Sequence, residues 1–379
     1  MRMIYLDHAA ATPVAAKVLE AMQPYFLDEF FNPSAAYLPA KKVNADYEAA
    51  KGEIAHAIGA KGNDIVITAG ATEANNLAFT SISENAKVLY LKTEHDSVRN
   101  PASRFKHEEV EVDQNGRIVI NDLKQKIDDD TELVSVALAN NELGTIQPLA
   151  EIATLIRAIR IERLKNGNTR QLLLHTDASQ AMNLLDINVA RLGVDLLTLN
   201  AAKVYGPKGV GALYVAHDVR LKPLTLGGGQ ENGLRSGTQN VPGVIGFATA
   251  LKLAKEHLNG NRKKYAEFRK ILLDEVKDYE LINKKHALDN FVVLCFDGLD
   301  AERLIYLLED REVYVSTGAA CAASKGVRSH VLTAIGLTDS KINGSLRITL
   351  GETNTKEQVH EAARIINEVV ASEKARIHA

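Results

Sequence analysis

Short apolar segments alternate with helix-like segments through the first two thirds of the chain. The apolar segments lie at residues 64–68, 87–91, 108–112, 132–138, 171–176, 194–199 and 211–215. Strands that alternate with helices favour a mainly parallel β-sheet with helices on both faces. Polar residues that follow parallel strands collect in one crevice at the carboxyl edge of the sheet. The alternation therefore predicts an α/β fold with its functional site at that edge.

The length of the chain indicates more than one domain, because 379 residues exceed one ordinary hydrophobic core. We expect a large domain over residues 14–250. Residues 1–13 and 251–379 then form a smaller α+β domain, and a long helix near 241–279 joins the two domains.

Charge and hydropathy argue against several classes of protein. The net charge of −3 provides no basic surface for direct nucleic-acid binding, and no uncharged apolar run reaches the roughly 20 residues of a membrane span. Asp7 and His8 interrupt the opening segment, which lacks the pattern of a secretory leader. The two cysteines lack metal-ligand spacing, so we expect no metal site. They cannot form a disulfide framework either, so we expect a reducing, cytoplasmic location.

Five polar residues lie at or just past predicted strand ends, and they are Thr72, His95, Asn141, Asp177 and Lys203. A lysine and an acid in such positions suit pyridoxal phosphate. The lysine can form a Schiff base, and the acid can keep the pyridine nitrogen protonated. The alternative is a surface lysine beside a helix-capping aspartate.

The segment Ala69–Leu77 forms a strand–glycine–helix junction in this interpretation. Free backbone N–H groups and the helix dipole make such a junction suitable for a phosphate. Gly70 permits close approach of the backbone, and Thr72 adds a hydroxyl group. A plain helix cap explains the same residues equally well.

Two further residues, Cys321 and Arg347, are candidates for a role in the chemistry. Cys321 lies among small residues and glycines, which predicts an accessible thiol, although a small residue in a tight turn is the alternative. Cys295 lies in an apolar strand and is interpreted as a core residue. Arg347 lies in a second apolar strand and needs an anionic partner, either a substrate carboxylate or a nearby glutamate.

These residues belong to motifs that resemble the cysteine desulfurases of the NifS/IscS type, a family of fold type I pyridoxal phosphate enzymes. The resemblance covers nearly the whole chain, from Tyr5 to about Val370. Its motifs are Tyr5–Ala10, Thr12–Pro13, Ala69–Asn76, Thr93–His95, Asn140–Gly144, His175–Gln180, Tyr205–Gly209, Arg235–Thr238 and Gly318–Cys321. It implies a large domain with a mainly parallel seven-stranded sheet and a smaller C-terminal α+β domain.

The resemblance also implies how the cofactor ring is held. Lys203 forms the Schiff base and later moves protons, Asp177 pairs with the pyridinium, and His95 stacks on the ring and acts in proton transfer. Asn141 and Gln180 contact the side of the ring that carries the phenolic oxygen.

The phosphate of the cofactor is implied to lie at the start of a helix. Ala71 and Thr72 seat it, and Asn200 contributes a hydrogen bond. Thr238 reaches the phosphate of the partner subunit, so the resemblance implies a homodimer.

The implied reaction converts L-cysteine to L-alanine. Arg347 and Asn32 bind the substrate carboxylate, and Cys321 accepts the sulfur as a persulfide. The sulfur then passes to an acceptor protein, either a scaffold for iron–sulfur cluster assembly or a protein of tRNA thiolation.

The sequence departs from the family pattern beside the lysine. The family usually has Ser-x-His-Lys, whereas this chain has Asn200-Ala201-Ala202-Lys203. One missing hydrogen bond to a charged phosphate costs about 1.5–3 kcal/mol. Phe31 also replaces a usual glycine. The alternatives are therefore another reaction on this fold, such as that of a selenocysteine lyase or an aminotransferase, and a non-catalytic relative.

Overall fold

The computed structural model describes residues 3–317 and 328–378 of the chain. The strands within these ranges are β1 Ile4–Tyr5, β2 Ile65–Thr68, β3 Lys87–Leu91, β4 Lys106–Val110, β5 Thr131–Ser135, β6 Leu173–Asp177, β7 Leu196–Asn200, β8 Gly211–Val215, β9 Glu280–Leu281, β10 Phe291–Cys295, β11 Val313–Tyr314, β12 Ser316–Thr317 and β13 Ser345–Thr349.

The helices pack around these strands. Within the same ranges they are α1 Ala16–Met22, α2 Pro24–Leu27, α3 Leu38–Ala57, α4 Ala71–Ala78, α5 Asp96–Ala102, α6 Ile120–Lys126, α7 Leu149–Lys165, α8 Val189–Leu192, α9 Val241–Glu275, α10 Ala301–Glu309, α11 His330–Ala334, α12 Asp339–Asn343 and α13 Lys356–His378. None of these helices is both long and apolar enough to cross a membrane.

Seven strands form the large sheet in the order β2-β8-β7-β6-β5-β3-β4. The pairs from β7 to β4 are parallel, whereas β8 is antiparallel to both of its neighbours. The carboxyl ends of β3, β5, β6 and β7 consequently lie along one edge. This mainly parallel seven-stranded sheet confirms the predicted fold class.

Alternate residues of the central strands enter hydrophobic clusters on opposite faces of the large sheet. In β3, Val88 and Tyr90 pack with side chains of α4 and α5. Leu89 and Leu91 belong to the larger cluster, which includes side chains of α3, α7 and α9. Strands that are buried on both faces read as continuous apolar runs, which explains why the sequence predicted them well.

A second, antiparallel sheet has the order β12-β13-β10-β9 and carries Arg347 on β13. The N-terminal segment crosses beside it, because β1 pairs with β11 and Asp7 forms a bridge to Thr349. The 35-residue helix α9 is continuous across residues 250 and 251. The proposed division of the chain into two domains at that point stays a prediction.

Proline sets the bounds of two helices near the N-terminus. Helices α1 and α2 are divided at Gln23, immediately before Pro24. Helix α3 begins at Leu38, with Pro39 in its first turn. Proline lacks a backbone N–H and is tolerated in the first turn of a helix, where that group has no intrahelical partner.

Candidate active site

Asp177 ends β6 at the carboxyl edge of the large sheet. Its Oδ1 accepts a hydrogen bond from the backbone N–H of Ser179 at 2.9 Å. Its Oδ2 accepts one from Nδ2 of Asn75 at 2.8 Å. The carboxylate is thus held on both oxygens, in a position suited to a protonated ring nitrogen.

Asn75 connects Asp177 to His95 through a chain of hydrogen bonds. Its Nδ2 also donates to Oγ of Ser97 at 2.8 Å, and that oxygen lies 2.9 Å from Nδ1 of His95. The backbone N–H of Ser97 donates to the same Nδ1 at 3.0 Å. Because Nδ1 is an acceptor, we infer that the proton of the neutral imidazole lies on Nε2. The ring of His95 therefore has a fixed orientation at the start of α5.

Lys203 ends the short turn that follows β7 and lies beside the N-terminal segment. Its Nζ donates to the carbonyl oxygens of Ala9 at 2.6 Å and Ala10 at 2.5 Å. Gln180 donates to the carbonyl of Ala9 as well, from Nε2 at 3.1 Å. The structure therefore brings Lys203 and Gln180, both predicted to contact the cofactor, to one carbonyl group.

The turn that carries this lysine is fixed by Thr12. Both the backbone N–H and Oγ1 of Thr12 donate to the carbonyl of Ala202 at 3.1 Å. The same Oγ1 accepts from the backbone N–H of Tyr205 at 2.8 Å, where the backbone has a left-handed φ of 60°. Asn200 caps the turn by accepting from the backbone N–H of Ala202 at 3.2 Å. Contacts with the N-terminal segment thus set the position of the turn.

Ala71 and Thr72, which were predicted to bind the phosphate, lie at the start of α4. Gly70 precedes the helix with a φ of 145°, and a Cβ built on it would meet no atom within 4 Å. A Cβ on Gly211 of β8 would lie 2.7 Å from Cα of Gly70, so only glycine permits this approach. The first N–H groups of α4, at Ala71 and Thr72, have no carbonyl one turn before them. Open space and free donors suit an anion.

The segment that carries Thr238 is anchored by two ion pairs. Glu231 is buried and accepts from Nζ of Lys51 at 3.0 Å. Nε of Arg235 lies 3.0 Å from Oε1 of Glu73, in the first turn of α4. Thr238 itself is exposed at the surface of the chain.

His175 lies beneath Asp177 on the same strand and is fully buried. Its Nδ1 lies 2.8 Å from Oγ of Ser135, and its Nε2 lies 3.1 Å from Oγ1 of Thr198. Burial lowers the pKa of His175 to about 4. The imidazole is therefore neutral at pH 7 and links β5, β6 and β7.

Glu94 precedes His95 and has a buried carboxyl group. One carboxyl oxygen accepts from the backbone N–H of Ala137 at 2.5 Å. Burial raises the pKa of Glu94 to about 8, and the charge of Asp177 acts in the same direction. The carboxyl group is therefore mostly protonated at neutral pH.

Arg347 extends from β13 and is 4% exposed. Its Nη2 lies 2.6 Å from Oδ1 of Asp7, and its Nη1 donates to the carbonyl oxygen of Asn141 at 3.0 Å. Its Nε is buried without a hydrogen-bond partner in the described ranges. The anionic partner that the sequence required is thus an aspartate of the chain itself.

The three remaining residues of the predicted site are Asn141, Asn32 and Cys321. Asn141 meets Arg347 through its backbone oxygen. Asn32 is exposed, and its Oδ1 accepts from the backbone N–H of Ser34 at 3.0 Å. Cys321 lies outside the described residues.

Sequence reasoning assigned no role to Asn75, Ser97 or Asp7. Asn75 lies four residues after Ala71, so helical spacing could have placed it on the face that carries the phosphate seat. Asp7 lies 340 residues before Arg347 in the sequence. Only the general need of a buried guanidinium for a carboxylate could have suggested that pair.

Comparison with known proteins gives a consistent result. Residues 4–361 match the Aminotransferase class-V family. The chain is 38% identical over 386 residues to the putative cysteine desulfurase IscS 1 of Bacillus subtilis, with 98% of this chain and 99% of that protein covered. It is also 38% identical over 382 residues to cysteine desulfurase IscS 1 of Archaeoglobus fulgidus, with 97% of each covered. A solved structure described as a NifS-like protein superimposes with a TM-score of 0.90 at 31% identity, covering 98% of this chain and 100% of that one.

The fold and the strand-end site define a fold type I enzyme that depends on pyridoxal phosphate. More particularly, the chain belongs to the IscS/NifS cysteine desulfurase group of the class-V aminotransferase family. This result confirms the predicted family, fold class and cofactor.

The residues of the crevice fit that cofactor. Asp177 offers an oriented carboxylate for the ring nitrogen, and Lys203 offers an amine for the aldehyde. The open space over Gly70 beside the start of α4 is suited to the phosphate. Ala202 has no side-chain donor, and its carbonyl is already bonded to Thr12.

Proposed function

We propose that this cysteine desulfurase acts through Lys203, Asp177 and His95 at the cofactor and stores the removed sulfur on Cys321. The observation that carries the assignment is the carboxylate of Asp177. It is held on both oxygens at the strand end next to the strand that leads to Lys203. Membership of the family supports L-cysteine as the substrate and L-alanine as the product.

Bound pyridoxal phosphate supplies an electron sink at the carbon that carries the substrate amine. Lys203 holds the cofactor aldehyde and then moves a proton at the substrate Cα through Nζ. His95 offers the N–H of Nε2 as a second proton donor in the crevice. Asp177 keeps a positive charge on the ring nitrogen, which strengthens the electron sink.

The sulfur step breaks the Cβ–S bond of L-cysteine and forms an S–S bond on Cys321. The thiolate of Cys321 is the nucleophile. The transferred sulfur is oxidised to the persulfide level, and the substrate Cβ takes up the electron pair and a proton to become the methyl group of L-alanine. One molecule of cysteine and one thiol thus give one alanine and one persulfide, without an outside oxidant.

The activity is tested by incubating the cofactor-loaded protein with L-cysteine and dithiothreitol and measuring alanine and sulfide. We expect equal amounts of the two products. Lys203→Ala should reduce both to background. Cys321→Ser should stop turnover while the cofactor absorbance is retained, and Cys295→Ser, at a buried core position, serves as the control. Alanine formation by Cys321→Ser at the parental rate would contradict the role of Cys321.

We also propose a homodimer. The segment that forms α1, α2 and the start of α3 exposes six large apolar side chains, and residues 224 and 226 expose two more. These are Leu19, Phe26, Leu27, Phe30, Tyr37, Leu38, Leu224 and Leu226. Exposed apolar surface of this extent favours coverage by a partner. Thr238, exposed on an anchored segment, is available to a second subunit.

Light scattering tests the assembly. We expect twice the chain mass for the parent protein, and Leu38→Asp should yield monomers with reduced activity. Leu164→Asp is the matched control, because Leu164 is also exposed but lies on α7. A parent protein that is monomeric and fully active would contradict the homodimer.

The finer biological role is the delivery of sulfur from Cys321 to an acceptor protein of iron–sulfur cluster assembly or tRNA thiolation. Labelling with ³⁵S-cysteine tests this proposal. The label should leave the enzyme when a candidate acceptor with a free thiol is added. Retention of the label with every candidate would contradict the proposed delivery.

A further inference from the structure

The carboxylate-binding arginine of the proposed site already holds a carboxylate. Nη2 of Arg347 lies 2.6 Å from Oδ1 of Asp7, whose side chain is 17% exposed. Nη1 is bonded to the carbonyl of Asn141. A substrate carboxylate that approaches this guanidinium therefore meets a nitrogen that is already engaged.

The backbone of Asp7 is fixed beside Arg347. The carbonyl of Asp7 accepts from the hydroxyl of Tyr5 at 2.9 Å, and the residue forms a β-bridge with Thr349, two positions after Arg347. Next along the chain, the N–H of Ala9 donates to Oγ1 of Thr349 at 2.9 Å. These contacts hold the backbone of Asp7 beside Arg347.

A second carboxyl group, that of Glu142, also interacts electrostatically with Arg347. That carboxyl is buried and accepts from Oγ of Ser329 at 2.5 Å. Burial raises the pKa of Glu142 to about 7, and the charge of Arg347 partly offsets this effect. Asp7 is the carboxylate in direct contact with the guanidinium, so its charge decides how strongly a second carboxylate is attracted.

We propose that Asp7 is a built-in competitor for the substrate carboxylate. It pairs with Nη2 of Arg347 and gives up that nitrogen when the amino acid binds. This inference rests on the proposed role of Arg347 in binding the substrate. It adds Asp7, to which the sequence analysis gave no role, to the residues that set substrate affinity.

The competition has a consequence for turnover. L-cysteine and L-alanine carry the same carboxylate, so Asp7 weakens the binding of substrate and product equally. Weaker uniform binding raises KM without slowing the chemical step, and it favours release of the product. Asp7 also supplies the counter-ion that a buried guanidinium needs between turnovers.

The test compares the holoenzyme with its Asp7→Asn variant, which keeps the shape of the side chain and removes its charge. L-alanine and ethylamine are the probes, because ethylamine has the same amine and methyl group but lacks the carboxylate. Calorimetric titration should show L-alanine binding about tenfold more tightly in the variant, with ethylamine unchanged. The KM for L-cysteine should fall in parallel. Unchanged or weaker binding of L-alanine would overturn the proposal.

A second variant separates charge from packing. Asp7→Glu retains the negative charge, so its affinity for L-alanine should stay closer to that of the parent than to that of Asp7→Asn. The melting temperature of Asp7→Asn should be lower without ligand, because Arg347 is left unpaired. L-alanine should raise it more than it raises that of the parent. An equal rise in both proteins would count against competition.

A crystal structure of the parent holoenzyme with L-alanine decides the question even if Asp7→Asn does not fold. We expect the bound carboxylate on Arg347 and the contact between Asp7 and Nη2 broken. A structure in which that contact persists beside the bound carboxylate would overturn the proposal. A parent enzyme that binds no L-alanine and forms none from L-cysteine would instead refute the proposed function, so the two failures are distinguishable.

Discussion

The two sides of the proposed active site are built differently. On the cofactor side, Asp177 and Lys203 follow adjacent strands of one parallel sheet, and Asn75 joins Asp177 to the start of α5. On the substrate side, Arg347 of the smaller sheet meets Asp7, which lies 340 residues earlier in the chain. The two charged residues of the cofactor side thus belong to one regular sheet, although the N-terminal segment also holds the turn of Lys203. The two charged residues of the substrate side come from segments that are distant in the sequence.

This difference indicates distinct tasks. A cofactor that stays bound through many turnovers is served by a carboxylate with both oxygens fixed in advance. A substrate that enters and leaves at each turnover requires a guanidinium whose partner can be exchanged, as we propose for Arg347 and Asp7. Mutations on the cofactor side should therefore lower kcat, whereas mutations on the substrate side should change KM.

The largest expected effect is that of Asp177→Asn. The amide keeps the shape of the side chain but cannot hold a positive charge on the ring nitrogen. We expect kcat for alanine formation to fall by about a hundredfold to a thousandfold, as for the loss of one preorganised electrostatic group. Steady-state kinetics of the cofactor-loaded variant measure this effect.

Thr176→Val is the matched control for that experiment. Thr176 is the buried neighbour of Asp177, and its hydroxyl has no hydrogen-bond partner in the described ranges. Replacing it with an apolar group of the same shape should change kcat less than about twofold. If both variants lost activity equally, packing of β6 rather than the charge of Asp177 would explain the result.

The two sides also differed in how far the sequence predicted them. The strand that ends at Asp177 was predicted because three consecutive buried leucines, Leu172 to Leu174, precede its polar end. The bond between Asn75 and Asp177 was not predicted, because it depends on the rotation of α4 over the sheet. The ion pair between Asp7 and Arg347 was not predicted either, because no sequence period relates residues 340 positions apart.

Arg347→Lys tests the substrate side and should mainly change KM. A lysine keeps the charge, but its single nitrogen cannot contact Asp7, the carbonyl of Asn141 and a substrate carboxylate in the planar geometry of a guanidinium. We expect KM for L-cysteine to rise by about tenfold to a hundredfold, the equivalent of one charge-assisted hydrogen bond. Arg311→Lys, in an exposed ion pair with Glu368, should leave KM unchanged. A fall in kcat with constant KM would contradict the division of tasks.

Gly211→Ala tests whether the phosphate seat depends on close backbone contact. The added methyl group would lie 2.7 Å from Cα of Gly70 and 2.8 Å from the carbonyl oxygen of Leu199. Because backbone atoms cannot give way freely, we expect the free energy of unfolding to fall by about 1–3 kcal/mol. Affinity for pyridoxal phosphate should fall with it. Denaturation in urea and cofactor titration measure the two effects.

The control for that prediction is Gly52→Ala. Gly52 lies within α3, and a Cβ there would meet no atom within 4 Å. Alanine in a helix interior should raise stability by about 0.5–1 kcal/mol and leave cofactor affinity unchanged. Equal cofactor loss in both variants would show that the contact between Gly211 and Gly70 is not required.

The stability of the protein should also depend on pH in a way that differs between the two sides. Glu94 on the cofactor side has a pKa of about 8, and Glu142 beside Arg347 has a pKa of about 7. An unfolded chain ionises both near pH 4.5, so the folded state binds more protons between that pH and the folded pKa. Stability due to each group is therefore present at low pH and is lost as the pH rises through this window.

A glutamine cannot ionise and avoids this loss. The stability of Glu94→Gln relative to the parent should therefore increase from pH 5 to about pH 8, by about 1–3 kcal/mol. For Glu142→Gln the relative increase should end near pH 7 and be smaller, because the charge of Arg347 favours the ionised carboxyl. The low pKa of His175 destabilises the folded state as the pH falls from 6.5 to 4, but this effect is common to all three proteins and cancels in the differences. Urea denaturation from pH 5 to pH 9 measures the stability of each variant relative to the parent. If the two variants gave the same change in stability over the same pH range, the electrostatic difference between the two sides would be refuted.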